Sequence, residues 1–380
     1  MVIDDAIKKG EIFMHHLEIY EMLRSKLNKA PVGFPKGLEG EEKEILRVLF
    51  TEEEAEFALK LSLVSFTLED ISKKIGKDVD SLRAILDRMA KKGTVLKDEG
   101  GDETVYRLLP VVVGWFETPF WPGPGKDGRQ ERLAPLWDKY WINAWLDEIG
   151  DRNTPIMRTL PDRDAISPEA QVVPYEDAVE LVKARDYHVV AHCPCRLMAR
   201  LSGKGCRHTL ETCLHFGSMG RYTVRYGLGR RISVEETLQI LKKANREGLV
   251  HTIENHRGRL SVLCNCCDDC CMWFRSIYEA KHPNALARSN YYSDVDTEKC
   301  PACGICVIRC PMRAITVKRK KQPAKVNKER CIGCGVCAPT CPVEAIHLVK
   351  RGEIVEPLEY GDYLANLLKD RGKDISSLRR

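Results

Sequence analysis

Cys300-Pro301-Ala302-Cys303-Gly304-Ile305-Cys306-Val307-Ile308-Arg309-Cys310-Pro311 is answered further along the chain by Cys331-Ile332-Gly333-Cys334-Gly335-Val336-Cys337-Ala338-Pro339-Thr340-Cys341-Pro342. Both runs read C-x2-C-x2-C-x3-C-P, a spacing that fits two [4Fe-4S] cubanes. Three closely spaced thiolates wrap one face of a cube, and the fourth, carried past a turn by its Pro, ligates the other cluster. The chemistry implied is one-electron transfer. The halves match at an offset of 31 residues, pairing Gly304 with Gly335, Pro311 with Pro342 and Ala314-Ile315 with Ala345-Ile346. Ile305, Ile308, Ile315, Val336 and Ile346 are expected to form the apolar shell, with backbone N–H groups near the glycines donating to sulfur.

At 380 residues the chain is long enough for two or three domains without disulfide staples. Its seventeen cysteines are absent from the first 192 residues, whereas a disulfide framework is expected mainly in a short secreted domain. Met1 to Gly10 is charged and lacks the apolar core of a secretory leader, and the longest apolar stretch, Leu108 to Phe116, is too short to span a bilayer. A reducing cytoplasm, that of an anaerobe, is the expected setting. The formal charge of +5 does not by itself argue for nucleic acid. Its distribution says more: between Pro311 and Arg330 stand Arg313, Lys318, Arg319, Lys320, Lys321, Lys325, Lys328 and Arg330 against the single acid Glu329. Such a segment reads either as a docking face for an acidic redox partner or as a solvated hairpin.

The expected fold class is α+β multidomain. Residues 1–117 read as a winged-helix-like N-terminal domain, with helices over 42–50, 51–62, Thr67 to Gly76 and Val79 to Lys92. Leu82, Ile85, Leu86 and Met89 share one face of the last helix, and strands Thr94 to Lys97 and Thr104 to Leu108 flank the turn Glu99-Gly100-Gly101-Asp102. The helix that would enter a DNA groove offers Arg83, Arg88, Lys91 and Lys92, but also Asp78, Asp80 and Asp87. The wing carries Asp98, Glu99, Asp102 and Glu103, which a phosphate backbone would repel. A protein-interaction module is therefore favoured over a DNA reader.

Residues 118–173 read as an aromatic-rich helix followed by a Pro-rich linker. Trp137, Trp141 and Trp145 form one stripe on a helix from Leu136 to Ile149, and such a stripe is expected to pack against a neighbouring domain or subunit. Pro155, Pro161, Pro168 and Pro174 punctuate the linker. Residues 174–290 read as a Cys-rich α/β domain, with a helix from Pro174 to Arg185 and a strand Tyr187 to His192 delivering Cys193-Pro194-Cys195-Arg196. A helix capped by Ser233 runs to Arg246 and stops at Gly248; strands Leu249 to Glu254 and Arg259 to Leu263 follow, the latter ending at Cys264. The two-cluster domain occupies 291–350, and a helical tail, 351–380, contains a helix over Glu356 to Lys369.

Nine cysteines lie outside the doubled motif: Cys193, Cys195, Cys206, Cys213, Cys264, Cys266, Cys267, Cys270 and Cys271. Bare thiolates this dense repel one another and oxidise, so a cation or cluster is expected to neutralise them. An additional iron–sulfur site, a structural zinc and free thiols all remain open. The doublets Cys266-Cys267 and Cys270-Cys271 point side chains in different directions and are suited to different sites. Around them stand His192, Arg196, Arg207, His208, His215, Asp268 and Asp269. Arg196 and His208 are the candidate catalytic groups, offering charge or a proton to a substrate; the competing reading has them balance an anionic site.

The stretch Cys300 to Leu348 resembles bacterial-type two-cluster ferredoxins, with every ligand of that motif present. The resemblance implies one cluster on Cys300, Cys303, Cys306 and Cys341, and the other on Cys331, Cys334, Cys337 and Cys310. The larger arrangement is similar to a group of 4Fe-4S dicluster proteins of anaerobic bacteria and archaea with a winged-helix-like N-terminus. The shared features are Cys193-Pro194-Cys195-Arg196, Glu211 to Gly217, Gly248-Leu249-Val250-His251 and Cys264-Asn265-Cys266-Cys267. That group often carries a further Cys where Asp269 stands, which implies a ligand set here reduced by one.

The expectation is an iron–sulfur electron-transfer protein or subunit working with an acidic redox partner or a larger oxidoreductase complex, with one or two additional Fe–S clusters in the middle domain. The alternatives are a reductase with its active site in the middle domain and a redox-responsive DNA-binding regulator. No Gly-rich phosphate-binding fingerprint is present, so no nucleotide or flavin is expected.

Overall fold

The computed structural model describes residues 18–374 apart from 168, 169, 171, 259 and 319–321. Met1 to Gly10, Pro168, Arg259, Arg319, Lys320, Lys321 and the last residues of the tail thus lie outside the described residues. The described residues divide into two compact units, one within 18–148, 197–204 and 364–374, the other within 149–196 and 205–363. The middle and two-cluster spans, 174–290 and 291–350, fall almost entirely in the second unit.

In the first unit, side-chain caps set the helix starts. Thr51 and Glu54 form a reciprocal capping box opening Glu52–Ala58, Thr67 caps Leu68–Ile75, and Asp78 caps Val79–Lys92. Gly76 and Gly93 close the last two helices at φ +72° and +87°, where a Cβ would be strained. Strands β1 (Phe66–Thr67), β2 (Val95–Asp98) and β3 (Val105–Leu108) form an antiparallel sheet in the order β1-β3-β2. Leu82, Ile85, Leu86 and Met89 are buried, as their spacing requires. On the same helix, Arg88 reaches Glu53 at 2.6 Å and Glu54 at 3.4 Å, and Lys92 pairs with Glu54 at 2.5 Å.

The tryptophan helix begins earlier than expected, at Gln130, and runs as consecutive helical segments to Gly150 with Pro135 inside it. Proline forfeits one bond of the ladder, at a cost of about 3 kcal/mol. The burial of Trp137, Trp141 and Trp145, none of them exposed, offsets that cost. Their partners include Phe34, Trp115, Phe116 and Tyr140, with ring centroids 5.0 to 6.3 Å apart. Phe34, Trp115 and Phe116 belong to the span 1–117, so the stripe packs against that neighbouring stretch within the first unit.

The second unit is built on a seven-stranded sheet. Its strands are β4 (Met157–Thr159), β5 (His188–His192), β6 (Glu211–Phe216), β7 (Arg230–Ile232), β8 (Val250–Glu254), β10 (Val262–Cys266) and β11 (Leu286–Ala287). A short β9 (His256–Arg257) stands outside it, and the sheet order is β11-β4-β8-β10-β6-β5-β7. All neighbours are antiparallel except β11 and β4. Val182 and Leu241, from helices Ala178–Lys183 and Val234–Glu247, pack in one core with Val190, Leu214 and Leu263 of the sheet.

Three sequence expectations are corrected here. Residues 155–174 are not simply a linker: Met157 and Arg158 pair on both sides within the sheet and Thr159 on one, and buried Arg158 meets buried Glu176 at 2.8 Å. The helix expected from Pro174 is one 3-10 turn, after which Asp177 caps Ala178–Lys183. The strand expected to end at Cys264 continues to Cys266, which places both thiols on one face of β10, with Asn265 on the other.

The C-terminal part of this unit pairs β12 (Tyr291–Val295) with β15 (Ile346–Lys350), and β13 (Ile315–Thr316) with β14 (Lys325–Val326). The basic segment is thus a hairpin whose tip lies outside the described residues. Arg309, at the end of helix Ile305–Arg309, donates to the Val336 carbonyl at 2.8 Å and to the Asn245 and Arg246 carbonyls at 2.7 and 3.0 Å. These last two belong to the final turn of helix Val234–Glu247, where the Asn245 carbonyl also accepts from Gly248 N–H at 2.8 Å. The tail helix is Tyr360–Lys369. Among the described residues, no helix is long and apolar enough to cross a membrane.

Candidate metal centres

The doubled motif folds around two cavities. One is lined by Cys300, Cys303, Cys306 and Cys341; the other by Cys331, Cys334, Cys337 and Cys310. Each cavity is closed by a cysteine from the opposite motif.

The hydrogen bonds repeat with the 31-residue offset. Ala314 N–H donates to Cys310 Sγ and Ala345 N–H to Cys341 Sγ, both at 3.2 Å; Ala324 N–H donates to Cys300 Sγ and Ser293 N–H to Cys331 Sγ, both at 3.4 Å. Asp296 and Asn327 accept from the N–H groups two and three residues on, at 3.0 to 3.2 Å. Gly304 and Gly335 both sit at φ +80°, and Ala302 and Gly333 share the left-handed region at +59° and +70°.

Symmetry fails at two places. The Ser293 hydroxyl stands 3.2 Å from Cys337 Sγ, whereas the corresponding Ala324 has no hydroxyl. Burial also differs: Cys331, Cys334 and Cys337 are buried, whereas Cys303 is exposed and Cys300 and Cys306 are half-buried. At Gly335 a Cβ would come within 2.9 Å of the Ala165 Cβ and 3.0 Å of Leu348, while at Gly304 nothing lies within 4 Å. Ile315, Val336 and Ile346 are buried as expected, but Ile308 is 89% exposed and Ile305 39%.

Burial and the neighbouring Cys300 and Cys303 push the Cys306 thiol up to about 11. Burial likewise lifts Cys337 to about 12 against the opposing Ser293 bond. Such thiols ionise together only when something cationic compensates them. Four thiols per cavity and backbone donors aimed at sulfur make a donor set that fits a [4Fe-4S] group.

The nine other cysteines separate into two groups. Six form a contiguous series in the order Cys193, Cys195, Cys271, Cys266, Cys264, Cys213, each joined to the next by a sulfur-to-sulfur hydrogen bond. They come from the end of β5, the start of helix Pro194–Leu201, β6, β10 and the turn after β10. The remaining three, Cys206, Cys267 and Cys270, gather with Asp269 so that one ligand atom from each lies within 4.8 Å of all the others. The doublets therefore divide, Cys266 and Cys271 joining the six while Cys267 and Cys270 join the three.

Within the six, hydrogen bonding from Cys193 pulls Cys195 well down, and bonding from Cys264 pulls Cys266 well down and Cys213 to about 5. Cys193 and Cys264, which hold the protons of those bonds, are pushed well up, as is Cys271 by burial.

Arg196 is fully buried at this place. Its guanidinium donates to the Asn265 carbonyl at 2.8 Å and to Cys267 Sγ at 3.8 Å, and it bonds Thr212 Oγ1. Burial opposes its charge, but the charges of Cys193 and Cys267 more than offset this and raise its pKa. His208 lies on the rim, half-buried, with Nδ1 3.5 Å from Glu247. His215 Nε2 is 3.2 Å from Cys213 Sγ and its Nδ1 2.9 Å from Thr223 Oγ1. Arg207 is exposed and His192 half-buried.

Sequence reasoning missed Asn265, whose side chain donates to the Thr212 carbonyl at 2.7 Å and meets His251 Nδ1 at 2.6 Å. It fastens β10 to both neighbours behind the thiols. Burial lowers the pKa of His251, which keeps the imidazole neutral there. An amide between two cysteines of one strand was the available signal.

The doubled cavities, with thiols exchanged between motifs, are those of an iron–sulfur protein of the 4Fe-4S class. A family model described as a 4Fe-4S dicluster domain matches residues 293–348, from within β12 to within β15. This C-terminal stretch is therefore a 4Fe-4S dicluster domain, and the iron–sulfur, metal-binding character of the chain follows from it. No curated protein matches the chain.

Proposed function

We propose that the chain is an iron–sulfur electron-transfer protein or subunit, passing low-potential electrons through two [4Fe-4S] clusters to or from a redox partner. One cluster is held by Cys300, Cys303, Cys306 and Cys341, the other by Cys331, Cys334, Cys337 and Cys310. The observation that carries this is the closing of each cavity by a cysteine from the other motif. When bound, such clusters supply one-electron carriers. The protein holds them about a pseudo-twofold, donates N–H groups to their sulfurs, and covers one more deeply than the other.

The six-thiol group is the place for a further Fe–S cluster. A tetrahedral ion accepts four donors, so six contiguous thiols exceed what one ion uses. Arg196 balances that anionic site; full burial and three hydrogen-bond partners support this role over substrate contact. Arg313, Lys318, Lys325, Lys328 and Arg330 are exposed on and beside the β13–β14 hairpin, which supports an acidic docking partner. The winged-helix-like order of the first unit serves a protein contact: Arg88 and Lys92 are engaged with Glu53 and Glu54 rather than presented to phosphates. A reducing cytoplasm is the compartment that keeps so many thiols available.

The test is iron and acid-labile sulfide content of the anaerobically purified chain, with electron paramagnetic resonance after dithionite reduction. About eight iron and eight sulfide are expected from the dicluster domain, and about four more of each from the middle. Fewer than about eight of either, or no reducible signal, would sink the proposal.

A further inference from the structure

The group of three cysteines differs in scale from the cluster cavities. Cys206 Sγ stands 3.8 Å from Cys267 Sγ and 3.8 Å from Cys270 Sγ, and a carboxylate oxygen of Asp269 completes a set in which no two ligand atoms are more than 4.8 Å apart. Thiolates at about 2.3 Å from one tetrahedral zinc define edges of about 3.8 Å. In a cubane, each thiolate sits on a different iron corner, so two thiolates are separated by an iron–iron edge as well as by their own bonds. Among the described residues, none of the eight dicluster cysteines hydrogen-bonds another; they line two cavities, four to each.

The chain path suits one ion. Cys267, Asp269 and Cys270 lie in a single turn after β10, whose Cys271 N–H donates to the Cys267 carbonyl at 3.4 Å. Cys206 comes from the loop after helix Pro194–Leu201. Cys267 and Cys270 are buried, Cys206 is half-buried, and Asp269 is exposed, so the oxygen vertex faces outward.

We propose that Cys206, Cys267, Cys270 and Asp269 hold a single tetrahedral divalent ion, zinc by its donor set, in an S3O site separate from every iron–sulfur cluster. The ion pins the loop around Cys206 to the turn carrying Cys266 and Cys271, and so fixes two thiols of the six-thiol group from outside. Arg196, 3.8 Å from Cys267 Sγ, tempers the charge of three thiolates and a carboxylate around a dication.

The experiment uses the full chain, expressed with zinc and iron both supplied and purified without oxygen. Metal and sulfide are counted, and the zinc first shell is read by X-ray absorption. One zinc per chain is expected, with three sulfur ligands and one oxygen. Cys206→Ser should remove that zinc and leave iron and sulfide unchanged; loss of one iron without sulfide would equally support a mononuclear site, with ferrous ion in it. Loss of iron together with equal sulfide, or no metal change, would overturn the proposal. Asp269→Cys keeps the test sharp should Cys206→Ser fold poorly. It should retain the ion and convert its shell to four sulfurs, whereas a wild-type shell already of four sulfurs would overturn the role of Asp269. Iron and sulfide in the wild type report on the electron-transfer reading separately.

Discussion

The dicluster domain and the middle cysteine region are both dense in thiols, yet they arrange them in opposite ways. In the dicluster domain, cysteines hang on turns around open volumes, four to a cavity, with backbone N–H groups supplying the bonds to sulfur. In the middle region, strand ends press thiols against one another, and a buried arginine supplies the compensating charge. The dicluster thiols line open space with many weak donors, whereas thiols pressed into contact are drawn from several distant segments that a bound ion or cluster would order together.

The largest expected effect breaks the exchange of cysteines in the dicluster domain. Cys310→Ala should lose the cluster of the second motif, and Cys341→Ala that of the first, each removing about four iron and four sulfide. Spectra showing that each variant loses the cluster of its own motif would contradict the cavities.

Next is the compensating charge. Arg196→Met should destabilise the second unit by about 3 kcal/mol, because it leaves buried thiolates unpaired. Anaerobic denaturant unfolding reads this, and an unchanged midpoint would remove Arg196 from the electrostatics of the site.

A finer comparison lies between the two dicluster cavities. Ser293→Ala should lower the potential of the Cys331 cluster by on the order of 40 mV, the worth of one hydrogen bond of about 1 kcal/mol to a one-electron carrier. Ala324→Ser should raise the other potential. Redox titration of each signal measures both, and a shift of the wrong sign would sever the hydroxyl from tuning.

The smallest effect concerns backbone strain. Ala302 occupies the left-handed conformation that Gly333 occupies in the other half. Ala302→Gly should stabilise the domain by about 0.5 kcal/mol, the relief of strain exceeding the added freedom of the unfolded chain. Gly333→Ala should destabilise it, since a Cβ there meets Ser289 Oγ and the Tyr291 carbonyl. Thermal unfolding of the pair reads the contrast.

What was legible from the residues was local. The doubled cysteine spacing, the cap at Ser233 and the stop at Gly248 are short-range chemistry, and each appears in the fold. β6 was not legible because its alternation is masked: Thr212, Cys213, Leu214 and His215 are all buried, so no polar face marks a strand. β4 was hidden by its length of three residues between prolines. The doublets announced two directions, but which distant thiol each would meet depended on the pairing of β10 with β6 and β8. Asp269 read as a missing cysteine, while its place at the fourth vertex emerged only when Cys206 was brought to the turn.

Arg309 ties the dicluster domain to the terminal carbonyls of helix Val234–Glu247. A free ferredoxin meets its reaction partner by collision, so its rate follows concentration. With the arginine clamp in place, exchange between the proposed middle cluster and the dicluster pair is an event within one molecule. Its rate should therefore be first-order and indifferent to dilution, leaving concentration to govern only the encounter with the external partner.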